Sequence, residues 1–464
     1  MSSLSALLGV MGESLSAQQE ALDVTGQNVA NVNTPGYVKR TAILESMATM
    51  PGTDGGVDVA TIQRAFNSFT YGQVNEEHGL QGAADSRSGA LAEAQATIAP
   101  QGGGAISDQL TAFFSSLDAL SSNPSDTSAR SNVLAQATQL AQTISSTANG
   151  LAQQQQSMLT QAQGITGEVN SDLSQIARLN ASIAQAQGQG DNAPDLRDKR
   201  DSLVTDVADK IGAKVLQDPS GSVTLFAAGT TLVNGSQAAT LGVTVDSSGA
   251  LKFTATRGSG PADDITAGVT QGSLGGIREA RDTDIAQTAS QLDQFAYDLA
   301  NTVNSVHKTG YGLDGNTGRN LFAAPSQVAG AAANFAVDPS MAGHPDFVGA
   351  AASATDVPGG NDVAVALSQV ATQKIGAGGT PAQSFASIAA QLGSAKSAAD
   401  TESATRADTV TQAENLNSSA SGVSLNEEMT NLTRFQQAFQ ASTQVLQIAN
   451  GLMSTVLNMT TPTA

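Results

Sequence analysis

Apolar residues recur at seven-residue intervals near both ends of this 464-residue chain. Leu8, Leu15, Leu22 and Val29 form one such row, with Leu4, Met11, Thr25 and Val32 beside it. Toward the other end Leu425, Leu432, Phe439, Leu446 and Met453 form another, flanked by Met429, Phe435, Ala449 and Val456. Seven residues are about two helical turns, so each row is a narrow apolar stripe on one side of a helix, as in a coiled-coil seam. Isolated helices draw most of their stability from packing. Each seam therefore predicts a partner, either the opposite end of the chain or the same end of another copy. The alternative is a pair of amphipathic helices lying on a globular core.

The same spacing recurs inside the chain. Ala137, Ile144, Leu151, Met158 and Ile165 form one row, and Ala162, Val169, Ile176 and Ile183 a second, within a Gln-, Ala- and Ser-rich stretch over 126–187. Gly150, Gly164 and Gly167 weaken that stretch, which predicts two or three helices or one kinked helix. Ile285, Leu292, Leu299 and Val306 mark a further helix over 274–307, and 384–416 reads as another.

After the linker Gly188-Gln189-Gly190-Asp191 and a short helix over 196–211, the period changes to two. Strands are expected at 213–216, 223–226, 231–233, 241–245 and 251–255. The sequences between them, such as Asp218-Pro219-Ser220-Gly221, Asn234-Gly235 and Ser247-Ser248-Gly249, are those of turns.

The predicted fold is mainly α with an inserted β domain. It combines terminal coiled-coil helices, an elongated helical bundle and a small antiparallel β domain. The boundaries expected are 1–60 with 422–464 for the terminal core, and 61–187 with 272–322 and 382–421 for the bundle. The β domain covers 188–271. An irregular Ala/Gly/Pro-rich stretch over 323–381, with a candidate strand at 334–337, could belong to the outer part. The chain ends meet, the bundle lies inside them, and the β part lies inside the bundle.

Charge narrows the function. Lys and Arg number 21 against 41 Asp and Glu, a formal net charge of -20, which argues against nucleic acid and against an anionic membrane surface. Aromatic residues are 4% and Trp is absent, so the cores are thin ones of Ala, Leu, Val and Ile. With no Cys, disulfides, thiolate metal sites and cysteine nucleophiles are excluded. No run of 18 apolar residues predicts a membrane span. The first residues lack the basic and apolar blocks of a cleavable secretory signal, so export would need another route.

Candidate chemistry is sparse. Gly310-Tyr311-Gly312-Leu313-Asp314-Gly315 satisfies G-x-G-x-x-G, but it follows a helix rather than a strand, so a nucleotide site is not expected. Asp314-Gly315-Asn316-Thr317-Gly318 resembles part of a calcium loop without its closing Glu, and a tight turn is expected instead. His78, His307 and His344 are scattered, and His307 at a helix end suits the dipole there. Asp195-Leu196-Arg197-Asp198-Lys199-Arg200-Asp201 reads as a salt-laced helix face or simply a solvated surface. No catalytic residue, metal ligand or cofactor is assigned. The many carboxylates keep a secreted wall-acting hydrolase as the alternative from a different class.

The N-terminal helix runs into Asn28-Val29-Ala30-Asn31-Val32-Asn33-Thr34-Pro35-Gly36-Tyr37. Pro35 forbids the helix to continue. Gly36 supplies the freedom for a reversal, Asn31 and Asn33 can bond frayed carbonyls and turn amides, and Tyr37 brings a ring against whatever the turn faces.

The block from Ala21 to Tyr37 closely resembles the N-terminal signature shared by bacterial flagellar rod, hook and hook-associated proteins. Residues 422–442, Gly-Val-Ser-Leu-Asn-Glu-Glu-Met-Thr-Asn-Leu and then Phe435-Gln436-Gln437-Ala438-Phe439, are similar to the closing helix of that family. Two internal blocks narrow the resemblance to the hook-associated protein 1 family of the hook–filament junction. They are Asp195 to Leu203 with Thr231 to Gly235, and Leu292 to Ala296 with Val303 to Tyr311, Asp314 to Asn316 and Leu321-Phe322. The match is poor over 323–400.

The resemblance implies a structural subunit, not an enzyme, that forms a ring joining hook to filament. Its partners would be the hook protein, the second junction protein, further copies of itself and an export chaperone. It would be secreted unfolded through the flagellar type III apparatus to the extracellular flagellum. Another axial subunit, of hook, rod or filament, is the alternative within the same class. The residues singled out for assembly are the two terminal seams and the turn residues Asn28, Asn31, Thr34, Pro35, Gly36 and Tyr37.

Overall fold

A computed structural model describes residues 2–34, 36–46, 56–100, 105–218 and 221–460. Both ends are helical: α1 (Ser2–Ala30) and α10 (Leu425–Thr460) pack against each other. Between them lie, in order, the hairpin β1 (Arg40–Ser46) and β2 (Val57–Arg64), then α2 (Ser68–Ile98), α3 (Ile106–Ser122) and α4 (Thr127–Gly188). Helix α5 (Pro194–Ile211) leads into a six-stranded sheet. Helices α6 (Gly272–Glu279) and α7 (Ala286–His307), an irregular outer region with α8 (Asp362–Gln369), and α9 (Pro381–Ser421) follow. The two end helices meet, as one of the partners expected for each seam. The hairpin, α2 and α3 were not resolved by periodicity.

Of the alternatives for the stretch over 126–187, the structure has the single helix. Its 62 residues span about 93 Å at 1.5 Å per residue. Two rows, Ala137–Ile144–Leu151–Met158 and Ala162–Val169–Ile176–Ile183, are buried. Each glycine costs about 1 kcal/mol in a helix interior, and burying several Ile, Leu and Val side chains at about 1.5–3 kcal/mol each outweighs three of them. Asp126 accepts the Ser128 amide at 2.7 Å and caps the start.

The sheet is an antiparallel meander in the order β3 (Lys214–Gln217), β4 (Val223–Ala227), β5 (Thr230–Asn234), β6 (Gln237–Val245), β7 (Leu251–Arg257) and β8 (Ala262–Asp264). Val223, Leu225, Leu241, Val243, Leu251, Phe253 and Ala255 alternate inward to the core. Two Asn side chains of α4 tie the sheet on. Asn170 bonds both backbone groups of Leu241, at 2.9 and 2.7 Å, and Asn180 donates to the carbonyls of Val223 and Gly235 at 2.8 and 2.9 Å.

Helix α5, which the sequence grouped with the β part, packs on α2 and α4. Here backbones approach closely: a Cβ on Gly82 of α2 would collide with the Asp209 carbonyl, and one on Gly276 of α6 with that of Ala83. A π-helical turn over Ala280–Ile285 joins α6 to α7. Within it Arg281 donates to the carbonyls of Gln155 and Gly249, Asp282 accepts the Leu251 amide, and Asp284 pairs with Arg87. One turn thus touches α4, the sheet and α2.

The outer region over 308–380 is held by buried polar side chains. Asn304 accepts the amides of Leu321 and Phe322 and donates to the Phe322 carbonyl. Arg130, 1% exposed, donates to the carbonyls of Pro124 and Val348. Over 334–337 the structure has only a single bridge, Phe322 to Val337. The G-x-G-x-x-G string follows α7, with Asp314 facing Arg319 in a turn; no strand leads into it.

His307 is not an exposed helix-end charge. It is 1% exposed; its Nε2 accepts the Gly349 amide at 3.0 Å, so its Nδ1 carries the proton toward the Arg319 carbonyl at 2.8 Å. Burial lowers its pKa from the ordinary 6.5. Because the folded pKa is depressed, this joint contributes its full stability above about pH 6.5 and loses it as pH falls below that value. Gln at 307 can keep both bonds without titrating. The fall in Tm between pH 7.5 and pH 5.5 should therefore be smaller in His307→Gln than in the parent chain. Equal falls in a calorimeter would contradict this.

Among the described residues no helix is long and apolar enough to cross a membrane.

Candidate functional site

The turn after α1 is built as its residue types suggest. Asn31 Nδ2 donates back to the Gln27 carbonyl at 3.0 Å, the Thr34 hydroxyl donates to Asn31 Oδ1 at 3.1 Å, and Tyr37 N–H closes on the Thr34 carbonyl at 3.2 Å. Gly36 has φ +76°, a left-handed conformation that favours glycine. Pro35 lies outside the described residues.

Asn28 is the centre of this turn. It is 1% exposed, and its amide makes four hydrogen bonds. Oδ1 accepts from the Tyr37 hydroxyl at 2.9 Å and the Arg40 amide at 3.0 Å; Nδ2 donates to the Arg40 carbonyl at 2.7 Å and to Glu428 Oε2 at 2.9 Å. Two donors and two acceptor positions are the full capacity of a carboxamide. One side chain therefore joins α1, the first residue of β1, the turn tyrosine and the start of α10. Burial pushes the Tyr37 phenol above its usual range, so it stays a donor, and the Arg40 guanidinium lies 4.9 Å from its ring centre.

From Arg40 the network continues into α5. Arg40 Nη2 reaches Asp195 at 2.6 Å and Asp198 at 2.7 Å, and Arg64, opposite Arg40 in the hairpin register, reaches Asp198 at 2.5 Å and Asp201 at 2.9 Å. Arg200, fully buried, pairs with Asp201 at 3.0 Å and donates to the Gly221 carbonyl at 2.7 Å. Lys39 reaches Glu427 at 2.5 Å on the other side.

Of the two readings of segment 195–201, the structure has the salt-laced helix face rather than the solvated surface. It forms an ionic joint between the terminal helices and the bundle, exposed at Asp195 and buried at Arg200 and Asp201. Its three Asp residues, spaced by three, share one side of α5, and the cations that answer them come from a hairpin some 130 to 160 residues earlier. That spacing was the available signal, but its partners were not local.

Burial outweighs the two arginines at Asp198 and raises its pKa. Burial also pulls Arg40 down, yet the hydrogen bonds it donates to Asp198 and Asp195 more than compensate. Asp198 bridges two cations, so the joint specifies an orientation more than it adds stability.

The seams are distributed over two surfaces. The most buried positions of α1 are Ala17, Ala21, Val24, Thr25 and Asn28, while Leu8, Leu15, Leu22 and Val29 run beside them and are half-buried. On α10, Leu432, Phe439, Leu446 and Met453 are half-buried and Leu425 is exposed. A second apolar row, Val445, Ile448, Leu452 and Val456, lies open, with Ile448 64% and Leu452 53% exposed.

Comparison with known proteins matches three parts of the chain. Residues 81–322, just over half of it, match the flagellar hook-associated protein FlgK helical domain. Residues 10–37 match the flagella basal body rod protein model, and 417–459 the C-terminal model of the flagellar basal body rod FlgEFG proteins. The chain is 26% identical to flagellar hook-associated protein 1 of Escherichia coli (strain K12), over 98% of this chain and 100% of that one. It is 28% identical to the protein of the same name from Bacillus subtilis (strain 168), over 96% of each. The solved flagellar hook junction protein FlgK from Burkholderia pseudomallei superposes with a TM-score of 0.65 at 17% identity, covering 74% of this chain and 99% of that one, and shows the fold.

Proposed function

Because the chain belongs to the flagellar hook-associated protein FlgK family, we propose that it is a ring-forming, non-enzymatic adaptor at the junction between flagellar hook and filament. It is a structural protein of the bacterial flagellum. The observation that carries the adaptor reading is the pairing of the two chain ends beside the Asn28 turn, with an open apolar row on α10 left for neighbouring subunits.

In this reading the terminal helices enter the shared core of the axis, and the ionic joint fixes the angle at which the bundle leaves it. The hook protein lies below, the second junction protein above, and copies of this chain alongside. An export chaperone would cover the α10 row before secretion through the flagellar type III apparatus.

Deletion in the native host tests the function. Intact hooks with filaments shed into the medium are expected. Missing hooks would assign the chain to the hook or rod instead.

A further inference from the structure

Phe69, in the first turn of α2, is 78% exposed, although its neighbours Phe66 and Tyr71 are packed inward. Helix α2 starts where the hairpin hands over to the bundle. Asn67 caps it, accepting the amides of Phe69 and Thr70, so the exposed ring stands on a fixed helix end. Aromatic side chains, Phe among them, are enriched at protein interfaces.

On the other side of the same helix end lies a cleft of about 570 Å³. Tyr37, Phe66, Tyr71, Val74 and Val423 line it. At 3.6 residues per turn, Phe69 falls opposite the Tyr71, Val74 and His78 side of α2. Projection and cleft are therefore at one level along the helix and face opposite ways. A surface feature that complements a different patch of the same chain makes a head-to-tail contact, and such contacts close into rings when the rotation allows.

We propose that the Phe69 ring of one subunit seats in this cleft on the next copy of the chain. The proposal rests on the ring reading above and names its lateral contact. Charge favours this occupant. The lining carries Asp201, Asp206 and Glu414 against one histidine, His78, beside Glu414, and the chain as a whole is at -20, so acidic surface is disfavoured there. Residues 65–75, which surround Phe69, contain no charged side chain.

A single aromatic contact is far smaller than the roughly 1,200–2,000 Å² of a stable interface. It acts only alongside the terminal helices, as one of several linked contacts, and the soluble chain stays monomeric.

The absence of Cys allows a direct test in assembled flagella. A host lacking its own copy makes two differently tagged chains, one carrying Phe69→Cys and the other Ser202→Cys, or Ser418→Cys on a second wall of the cleft. Each chain holds one thiol, so any disulfide joins two copies. Oxidation of isolated flagella should link the two tags in at least one pairing. Flagella that contain both chains but link neither pairing would overturn the proposal, as would links only between Phe69→Cys chains. Failure of either chain to enter flagella at all, with the parent chain behaving likewise, would instead overturn the junction reading beneath it. Phe69→Ala should lose filaments under shear about tenfold faster, the effect of a single interface anchor. Retention equal to that of the parent chain would count against the contact.

Discussion

Asp at both Ile448 and Leu452 is expected to abolish incorporation into flagella while leaving the thermal stability of the free monomer unchanged. Both side chains are more than half exposed on the open side of α10. Surface substitutions of this kind usually change stability by about 0.5 kcal/mol or less. In an assembly that covers the row, each apolar side chain is worth about 1.5–3 kcal/mol, and each new carboxylate adds a desolvation cost. Together they remove about 5 kcal/mol or more, over a thousandfold in an association constant. Leu432→Asp and Leu446→Asp should differ, because these leucines are half-buried in the terminal pair; they should lower protection of α1 and α10 in the monomer as well. Circular dichroism melts and immunoblots of sheared flagella read the two effects. Normal filaments on cells carrying Ile448→Asp and Leu452→Asp would refute the role assigned to this row.

The second large effect concerns Asn28. Asn28→Asp changes one atom type yet converts the donor facing Glu428 Oε2, 2.9 Å away, into an acceptor. Two buried carboxylates then face each other, and the Arg40 carbonyl loses its donor. Leaving buried charge without its partner costs about 3–5 kcal/mol, a large share of what holds α1 to α10 and to the hairpin. Amides near Glu428 should exchange at least tenfold faster, and incorporation should fall with them. Adding Glu428→Gln returns a donor to the pair and should recover part of the protection. No recovery in the double variant would mean that the turn, not this bond, holds the ends together.

Periodicity carried the architecture a long way. The seven-residue rows marked α1, α4, α7 and α10 as helices with one apolar side, because helical spacing is written into neighbouring positions. Period-two alternation between Asn234-Gly235 and similar turns marked the meander for the same reason. At α4, Gly150, Gly164 and Gly167 left two or three helices or one kinked helix open, and the burial of two long rows decides for one helix. At 195–201 a charged heptapeptide read equally as a salt-laced face or a solvated surface, and Arg40 and Arg64 from the hairpin decide for the first.

The sequence by itself marked α1, α4, α7 and α10 as helices and the run from 214 to 257 as strands, while the hairpin, α2 and α3 carried no such signal. Only the tertiary structure decided which side of α10 meets α1, which side stays open, and which carboxylates are buried. The physical reason is range. A helix's apolar side is set by residues three, four and seven apart, whereas the bond from Asn28 to Glu428 joins residues 400 apart, and no local pattern encodes a partner at that distance.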